Sequence, residues 1–165
     1  MLPLLNGLLR WLGILSAWLT GLMVLTTVLI VILRYVFGTG AIALQESVVY
    51  AHAIVIALGL AYTLQVDEHV RVDLFYSRLS NQARNLIDLV GHILLLLPVS
   101  ATLFYLSLDY VEASWRIREA SPEVGGLPAV FLLKTLIPVS AALLFLQGLG
   151  LIATGIARLR TAAPQ

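Results

Sequence analysis

The sequence has no cysteine and few charged residues, and both shortages exclude classes of function. Without cysteine, the 165-residue chain can form no disulfide, thiolate metal site or thiol nucleophile. Charged residues make up 12% of the chain and the formal net charge is +1, so no basic face or acidic tail stands out. We therefore expect no nucleic-acid partner.

Long apolar runs are what the chain has instead. Hydrophobic residues make up 60% of it, well above the usual share in a soluble domain. Four runs have no charged residue, namely 11–33, 47–66, 89–108 and 135–157. Twenty helical residues span about 30 Å, the thickness of the bilayer core. The sequence therefore predicts an all-α membrane protein with four transmembrane helices, at about 8–37, 46–66, 81–108 and 128–157, in a single integral-membrane domain, 1–165.

The topology follows from the runs and from the distribution of lysine and arginine. The first run is too long for a signal-peptide core of about 7–15 residues, so we expect an uncleaved helix. Four spans put both termini on one side, which also holds the connection between the second and third helices. That side has six Lys and Arg residues against four on the other. The positive-inside rule therefore predicts cytoplasmic N- and C-termini.

Helix ends and bends are indicated by one serine and two prolines. Ser80 is a natural N-cap for the third helix. Pro98 lies at mid-membrane in that helix and predicts a kink, because proline removes a backbone hydrogen bond. Pro128 can serve as the first residue of the fourth helix. Lys134, near the outer end of that helix, is expected to extend to the lipid headgroups.

The apolar runs contain no Asp, Glu, Lys or Arg. A transporter that acts alone usually has ionisable groups at mid-membrane or paired broken helices, so the sequence argues against an autonomous pump. His52 and His92 are predicted to differ in depth by about 15 Å, which excludes axial ligation of one shared haem. The expected role of each histidine is a hydrogen bond to a neighbouring helix, and we expect no cofactor.

The charged stretch after the second helix, "EHVRVDLFYSRLS" at 68–80, contains the side chains most suited to a binding or catalytic site. Its arginines, with Tyr76 and Asp73, lack a nucleophile or a phosphate-binding glycine motif, which argues against an enzyme. A metal site from Asp67, Glu68, His69 and Asp73 matches no established ligand spacing.

Two stripes of small residues at a spacing of four predict close helix approach in lipid. They are Gly13, Ala17 and Gly21 on the first helix and Ala53, Ala57 and Ala61 on the second. The stripes pack either against helices of this chain or against another subunit, and the sequence leaves both open. Small residues are also common in membrane helices without such a role.

Four features occur in a characteristic order. They are "RYVFG" at 34–38, Glu46 at the start of the second helix, "HVRVDL" at 69–74 and "SPEVGGLP" at 121–128. With four spans, the chain resembles the small membrane subunit of tripartite ATP-independent periplasmic (TRAP) transporters over about 8–158. It departs from the family at the start of the second helix, where a tryptophan and an acidic pair are common and this chain has Leu44, Gln45 and Glu46.

The resemblance implies a three-part importer in a bacterial inner membrane. A periplasmic substrate-binding protein captures an organic acid, and a large multi-span membrane subunit carries it with sodium ions. The small subunit accompanies the large one in the lipid bilayer as a scaffold. The alternative that the sequence leaves open is a membrane-anchor subunit of a respiratory or other inner-membrane complex.

The resemblance, together with the place of each residue along the chain, implies roles for charged residues in the two short connections. Arg34 and Glu46 flank the short outer turn and are expected to pair with each other or to contact the partner, with interfacial solvation as the alternative. His69, Arg71 and Asp73 alternate with apolar residues, so we expect a cytoplasmic clamp that fixes the turn, the alternative being a solvated loop.

The outer connection between the third and fourth helices is the remaining candidate interface. Trp115 and its charged neighbours are expected to lie along the membrane surface and meet the large subunit or the periplasmic protein. Gly126 and Pro128, from the "SPEVGGLP" motif, are expected to have a structural or interface role there.

Overall fold

The computed structural model describes residues 2–69, 76 and 79–161, which form four long helices without any strand. The helices are α1 (Leu2–Tyr35), α2 (Ile42–Gln65), α3 (Asn81–Arg116) and α4 (Val130–Thr161). Within the described residues, all four are long and apolar enough to cross a membrane. The predicted class, an all-α protein with four membrane-spanning helices, is confirmed.

Local chemistry explains where α3 and α4 begin. Ser80 caps α3 as predicted, because its hydroxyl oxygen accepts a hydrogen bond from the Ala83 N–H at 3.3 Å. Helix α4 begins at Val130, and the carbonyl of Ala129 accepts the first backbone bonds from Leu132 and Leu133. Pro128 therefore precedes the helix, and the prediction that it is the first helical residue was wrong.

The helices lie side by side in the order α1, α2, α4, α3. The main contacts join α1 to α2, α2 to α4, and α4 to α3. The most apolar stretch of α4 is 28% buried within the protein, against 6% for α1 and α3, as expected if α4 is internal and the other two are edges. We call this arrangement the helical layer. It differs from a four-helix bundle, in which the helices enclose a common core.

The two ends of the helical layer carry different connections. The α1–α2 turn and the α3–α4 connection (117–129) lie at one end, the connection end. The first turns of α1 and α3 and the last turns of α2 and α4 lie at the other, the termini end. There the side-chain amide of Gln65 donates to the Asn6 carbonyl at 3.1 Å, which ties the last turn of α2 to the start of α1.

Helix α3 contains a π-helical turn at His92–Leu96, which ends two residues before Pro98. The N–H of Leu97 donates to the carbonyl of His92, five residues back, instead of four. Proline has no N–H to donate, and its ring collides with the carbonyl four residues earlier in a regular α-helix. The wider turn accommodates both effects. The predicted kink at Pro98 stays a prediction.

Candidate functional site

Glu46 connects α2 to the α3–α4 connection, far away in the sequence. One carboxylate oxygen accepts a hydrogen bond from the Ser121 hydroxyl, and the other accepts from the Leu127 N–H at 2.5 Å. A carboxylate with two donors forms stronger hydrogen bonds than a neutral acceptor. Glu46 therefore holds both ends of the 121–127 segment against the first turns of α2.

The 121–127 segment is itself a closed turn. The N–H of Ser121 donates to the Leu127 carbonyl at 3.1 Å, and the N–H of Gly126 donates to the Glu123 carbonyl at 3.0 Å. The Ser121 hydroxyl also accepts from the Glu123 N–H at 3.1 Å. Gly125 has a φ of +82°, which favours glycine. We call this turn with Glu46 the Glu46 clasp.

Gly126 allows the Glu46 clasp to close. A Cβ atom added at Gly126 would lie 2.6 Å from the Ser121 Cβ and 2.8 Å from the Glu46 Oε1. Both distances are shorter than real Cβ contacts, so any larger residue must displace the serine or the carboxylate. The two adjacent glycines of the motif thus have different reasons. Gly125 has a positive φ, and Gly126 lies too close to Ser121 and Glu46 for a side chain.

A second polar network joins α3 to α4 beside the clasp. The Lys134 ammonium donates to Glu119 Oε2 at 2.5 Å, and the Ser114 hydroxyl donates to the same oxygen at 2.6 Å. The ammonium also lies 4.2 Å from the centre of the Tyr110 ring. The expectation that Lys134 extends to the headgroups was wrong, since only 18% of its side chain is exposed.

The hydrogen bond from Lys134, followed by that from Ser114, lowers the pKa of the Glu119 carboxyl below its ordinary 4.5. The pKa of Glu119 is lower in the folded than in the unfolded chain. The network therefore stabilises the fold at pH values above the unfolded pKa, and this stabilisation is lost as the pH falls through the folded pKa. We expect Glu119→Gln to lower the thermal midpoint of the purified chain at pH 7 and to lower it progressively less as the pH falls below 4.5.

Thermal unfolding of both proteins across this pH range measures the effect. Glu112→Gln is the matched control, because Glu112 pairs only with Arg116 at an exposed position of α3 within the described residues. A midpoint difference between wild type and Glu119→Gln that is the same at pH 3 and pH 7 would contradict the prediction.

Trp115 packs between α3 and α4 at the same end. Its ring meets Phe131 edge to face at 4.7 Å, and its indole N–H donates to the Thr135 hydroxyl at 2.9 Å. The Arg118 guanidinium lies 5.5 Å from the Trp115 ring centre. Trp115 is 38% exposed, so it joins two helices and still presents one edge outward.

The other predicted site residues are placed as follows. Arg34 is exposed at the end of α1, and in the described part of the chain it forms no ion pair with Glu46. His69 is partly buried beyond the end of α2. Arg71 and Asp73 lie outside the described residues, so the clamp stays a prediction. His52 is exposed on α2, whereas His92 lines a cavity at the termini end.

The two small-residue stripes differ in how far they pack against other helices of the protein. A Cβ at Gly13 would lie 2.6–2.8 Å from the Tyr62 ring, so Gly13 lets α2 approach α1. Ala17 is exposed, and Gly21 has nothing near its Cβ direction. On α2, Ala57 and Ala61 are buried and Ala53 is partly buried. The α2 stripe thus packs within the helical layer more fully than the α1 stripe.

Sequence reasoning missed the partners in both networks at the connection end. Ser121 and the Leu127 N–H were not connected with Glu46, nor was Glu119 with Lys134. It also missed the buried hydroxyls of α3, whose spacing of seven is a readable signal for one helix face: Ser100, Ser107 and Ser114. Like Ser16 of α1, they are small residues at packed positions.

The four long apolar helices define a multi-pass membrane protein. Family comparison matches residues 23–158 to the tripartite ATP-independent periplasmic transporters, DctQ component. The chain therefore belongs to the DctQ family, the small subunit of TRAP transporters, as the sequence motifs indicated. The first part of α1 lies before the matched region. Comparisons with curated proteins and with solved structures found no match.

Proposed function

We propose that the chain is the small scaffold subunit of a sodium-coupled TRAP importer of organic acids. It acts with a large multi-span membrane subunit and a periplasmic substrate-binding protein in a bacterial inner membrane. The termini end of the helical layer faces the cytoplasm, and the connection end faces the periplasm. The chain itself binds no transported substrate.

The helical layer is the observation that supports a scaffold role. A closed bundle uses most of its apolar surface on its own core, whereas the layer leaves two broad apolar faces. No Asp, Glu, Lys or Arg side chain that would couple a cation lies in its four charge-free runs, 11–33, 47–66, 89–108 and 135–157. A flat apolar element without a coupling group is suited to extend another membrane subunit.

The partner-facing residues follow from what the layer leaves uncovered. Ala17 and Gly21 present a small-residue surface on the edge helix α1, where another helix can approach closely. The Glu46 clasp holds the 121–127 turn in one shape, and we propose that this turn contacts the large subunit or the periplasmic protein. Arg71 and Asp73 remain candidates for a contact at the termini end.

Reconstituted uptake tests the proposal. We expect proteoliposomes with this chain alone to accumulate no organic acid under a sodium gradient. Accumulation should require the large subunit, the binding protein and this chain together. Uptake by the chain alone, or full uptake without it, would contradict the scaffold role.

Variants of the clamp give an assembly test. We expect Arg71→Ala and Asp73→Ala to reduce co-purification with the large subunit while membrane insertion is unchanged. Arg10→Ala, which removes an exposed arginine near the start of α1, is the matched control for lost charge. Wild-type complex yield in both clamp variants would remove this role while leaving the uptake test unaffected.

A further inference from the structure

Trp18 is an exposed tryptophan on the edge helix α1. It is 77% exposed, and within residues 2–69, 76 and 79–161 its indole N–H has no hydrogen-bond acceptor. Trp115, in contrast, donates its indole N–H to the Thr135 hydroxyl. An indole N–H in apolar surroundings normally has an acceptor. The donor of Trp18 is therefore available to a group outside these residues.

The packing of α1 on α2 gives the depth of Trp18 in the membrane. A Cβ at Gly13 would meet the ring of Tyr62, so these two residues lie at the same level. Tyr62 is four residues before Val66, the last residue of the charge-free run of α2. Trp18 is five residues beyond Gly13 along α1. At about 1.5 Å per residue, Trp18 lies about 14 Å inside the membrane boundary, near the centre of a hydrocarbon core about 30 Å thick.

Lipid alone does not suit a tryptophan at this depth. Tryptophan is enriched at the two membrane interfaces, where its N–H meets headgroups and water, and the hydrocarbon core contains neither. Trp11 is the usual case, because it is 64% exposed on the same helix and about 10 Å closer to the termini end. The group that covers Trp18 has to supply an acceptor at mid-membrane. Acyl chains have none, so this requirement points to a protein helix.

The surroundings of Trp18 on α1 suit the packing of another helix. Ala17 is exposed, and nothing lies within 4 Å of the Cβ direction of Gly21, so two small residues leave a hollow beside the indole. Ile14 and Leu22 are exposed one turn before and one turn after Trp18. A projecting ring beside a hollow is the arrangement by which side chains of two helices interlock. In lipid, helices associate through such close packing and through hydrogen bonds between them.

A second copy of this chain does not supply the acceptor. Both copies cross the membrane in the same direction, so a symmetric pair through this face brings equal levels of α1 together. Around Trp18 this face presents only apolar residues, namely Ile14, Ala17, Gly21 and Leu22. The hydroxyl of Thr20 is exposed at the same level, but residues two apart do not share a helix face, and it donates to the Ser16 carbonyl. The acceptor therefore belongs to a different chain.

We propose that Trp18 docks a transmembrane helix of another chain, which accepts the indole N–H at mid-membrane through a hydroxyl, an amide or a free backbone carbonyl. This inference rests on the function proposed above, under which that chain is the large multi-span subunit. It assigns α1, and not the other edge helix α3, to the contact. Tyr105 of α3 is also 74% exposed, but it is three residues from the end of its apolar run, where a hydroxyl reaches the membrane surface.

Photo-crosslinking in the assembled complex tests which edge joins the large subunit. Benzoylphenylalanine replaces Trp18 in one variant and Tyr105 in another, and each variant is co-expressed with the large subunit. We expect a crosslink to the large subunit, identified by mass spectrometry, from position 18 and none from position 105. A crosslink from position 105 alone, or one from position 18 to a second copy of this chain, would overturn the proposal.

Binding of the purified chain to the purified large subunit in liposomes separates the hydrogen bond from the ring. Trp18→Phe keeps a ring without the N–H and should weaken the apparent Kd about 3- to 20-fold, the range for hydrogen bonds between membrane helices. Trp18→Ala also removes the ring and should weaken it at least about 30-fold. Trp11→Phe is the matched control and should bind like wild type. Because Trp18 is exposed, each variant should keep the thermal midpoint of the isolated wild-type chain.

Two results separate the failure of this inference from that of the proposed function. If the wild-type chain does not bind the large subunit, the scaffold function fails and the inference fails with it. If wild type binds and both Trp18→Phe and Trp18→Ala bind equally well, α1 does not dock through Trp18, whereas the scaffold function stands.

Discussion

Replacement of Gly13 by leucine is expected to separate α1 from α2 and to destabilise the protein by at least about 1–3 kcal/mol, the usual cost of overpacking. The reason is geometric. Even a single Cβ at this position would lie 2.6–2.8 Å from the ring of Tyr62. Helix α1 has its main contacts with α2, so a displaced Tyr62 leaves the edge helix with little other packing. Unfolding of the purified chain by a denaturing detergent measures the loss.

Gly21 provides the matched control on the same helix. It belongs to the same small-residue stripe, but nothing lies within 4 Å of its Cβ direction. We expect Gly21→Leu to leave the stability of the isolated chain unchanged. If the uncovered stripe contacts the large subunit, this variant should instead reduce co-purification of the complex. Equal destabilisation by both substitutions would show that the Gly13–Tyr62 approach is not what holds α1 in place.

The second large effect is expected at the Glu46 clasp. Gly126→Ala forces a methyl group against the Ser121 Cβ and the Glu46 carboxylate. Overpacking of about 1–3 kcal/mol corresponds to an increase of about 5- to 150-fold in the open population of the turn. Glu123 lies inside this turn and is exposed, so cleavage after it by a glutamate-specific protease should accelerate by a similar factor.

Gly40→Ala is the control for this experiment. Gly40 lies in the α1–α2 turn at the same end of the layer, and nothing lies within 4 Å of its Cβ direction. Its substitution should leave the cleavage rate unchanged. Glu46→Gln should accelerate cleavage in the same direction as Gly126→Ala, because the carboxylate no longer accepts from both Ser121 and Leu127. A wild-type rate in Gly126→Ala would mean that the turn does not depend on the clasp.

The sequence was sufficient to predict the properties that depend on local composition. Charge-free runs predicted four spans, and Ser80 was correctly predicted to cap α3, because hydropathy and capping act within a few residues. The lateral order of the helices was not predictable in this way. In lipid it depends on side-chain shape and close approach, such as that between Gly13 and Tyr62, and an apolar run contains no direct signal for a particular neighbour.

The polar contacts at the connection end were harder to predict for a different reason. Glu46 and Ser121 are 75 residues apart, so their pairing depends on which helices are neighbours. Lys134 was expected at the headgroups because a cation near a helix end usually remains solvated. The structure provides Glu119 instead, and this acid is close only because α3 and α4 are adjacent. Both of these contacts thus depend on the order of the helices, which the sequence does not give.

The π-helical turn of α3 changes the direction in which the later side chains of that helix face. One extra residue in the turn changes the direction of every later side chain of α3 by about 100° from that of a regular helix. The buried serines at 100, 107 and 114 lie after the turn, so the direction of their common face depends on it. Deletion of one residue within the turn would rotate this serine face by about 100°, away from its present neighbours.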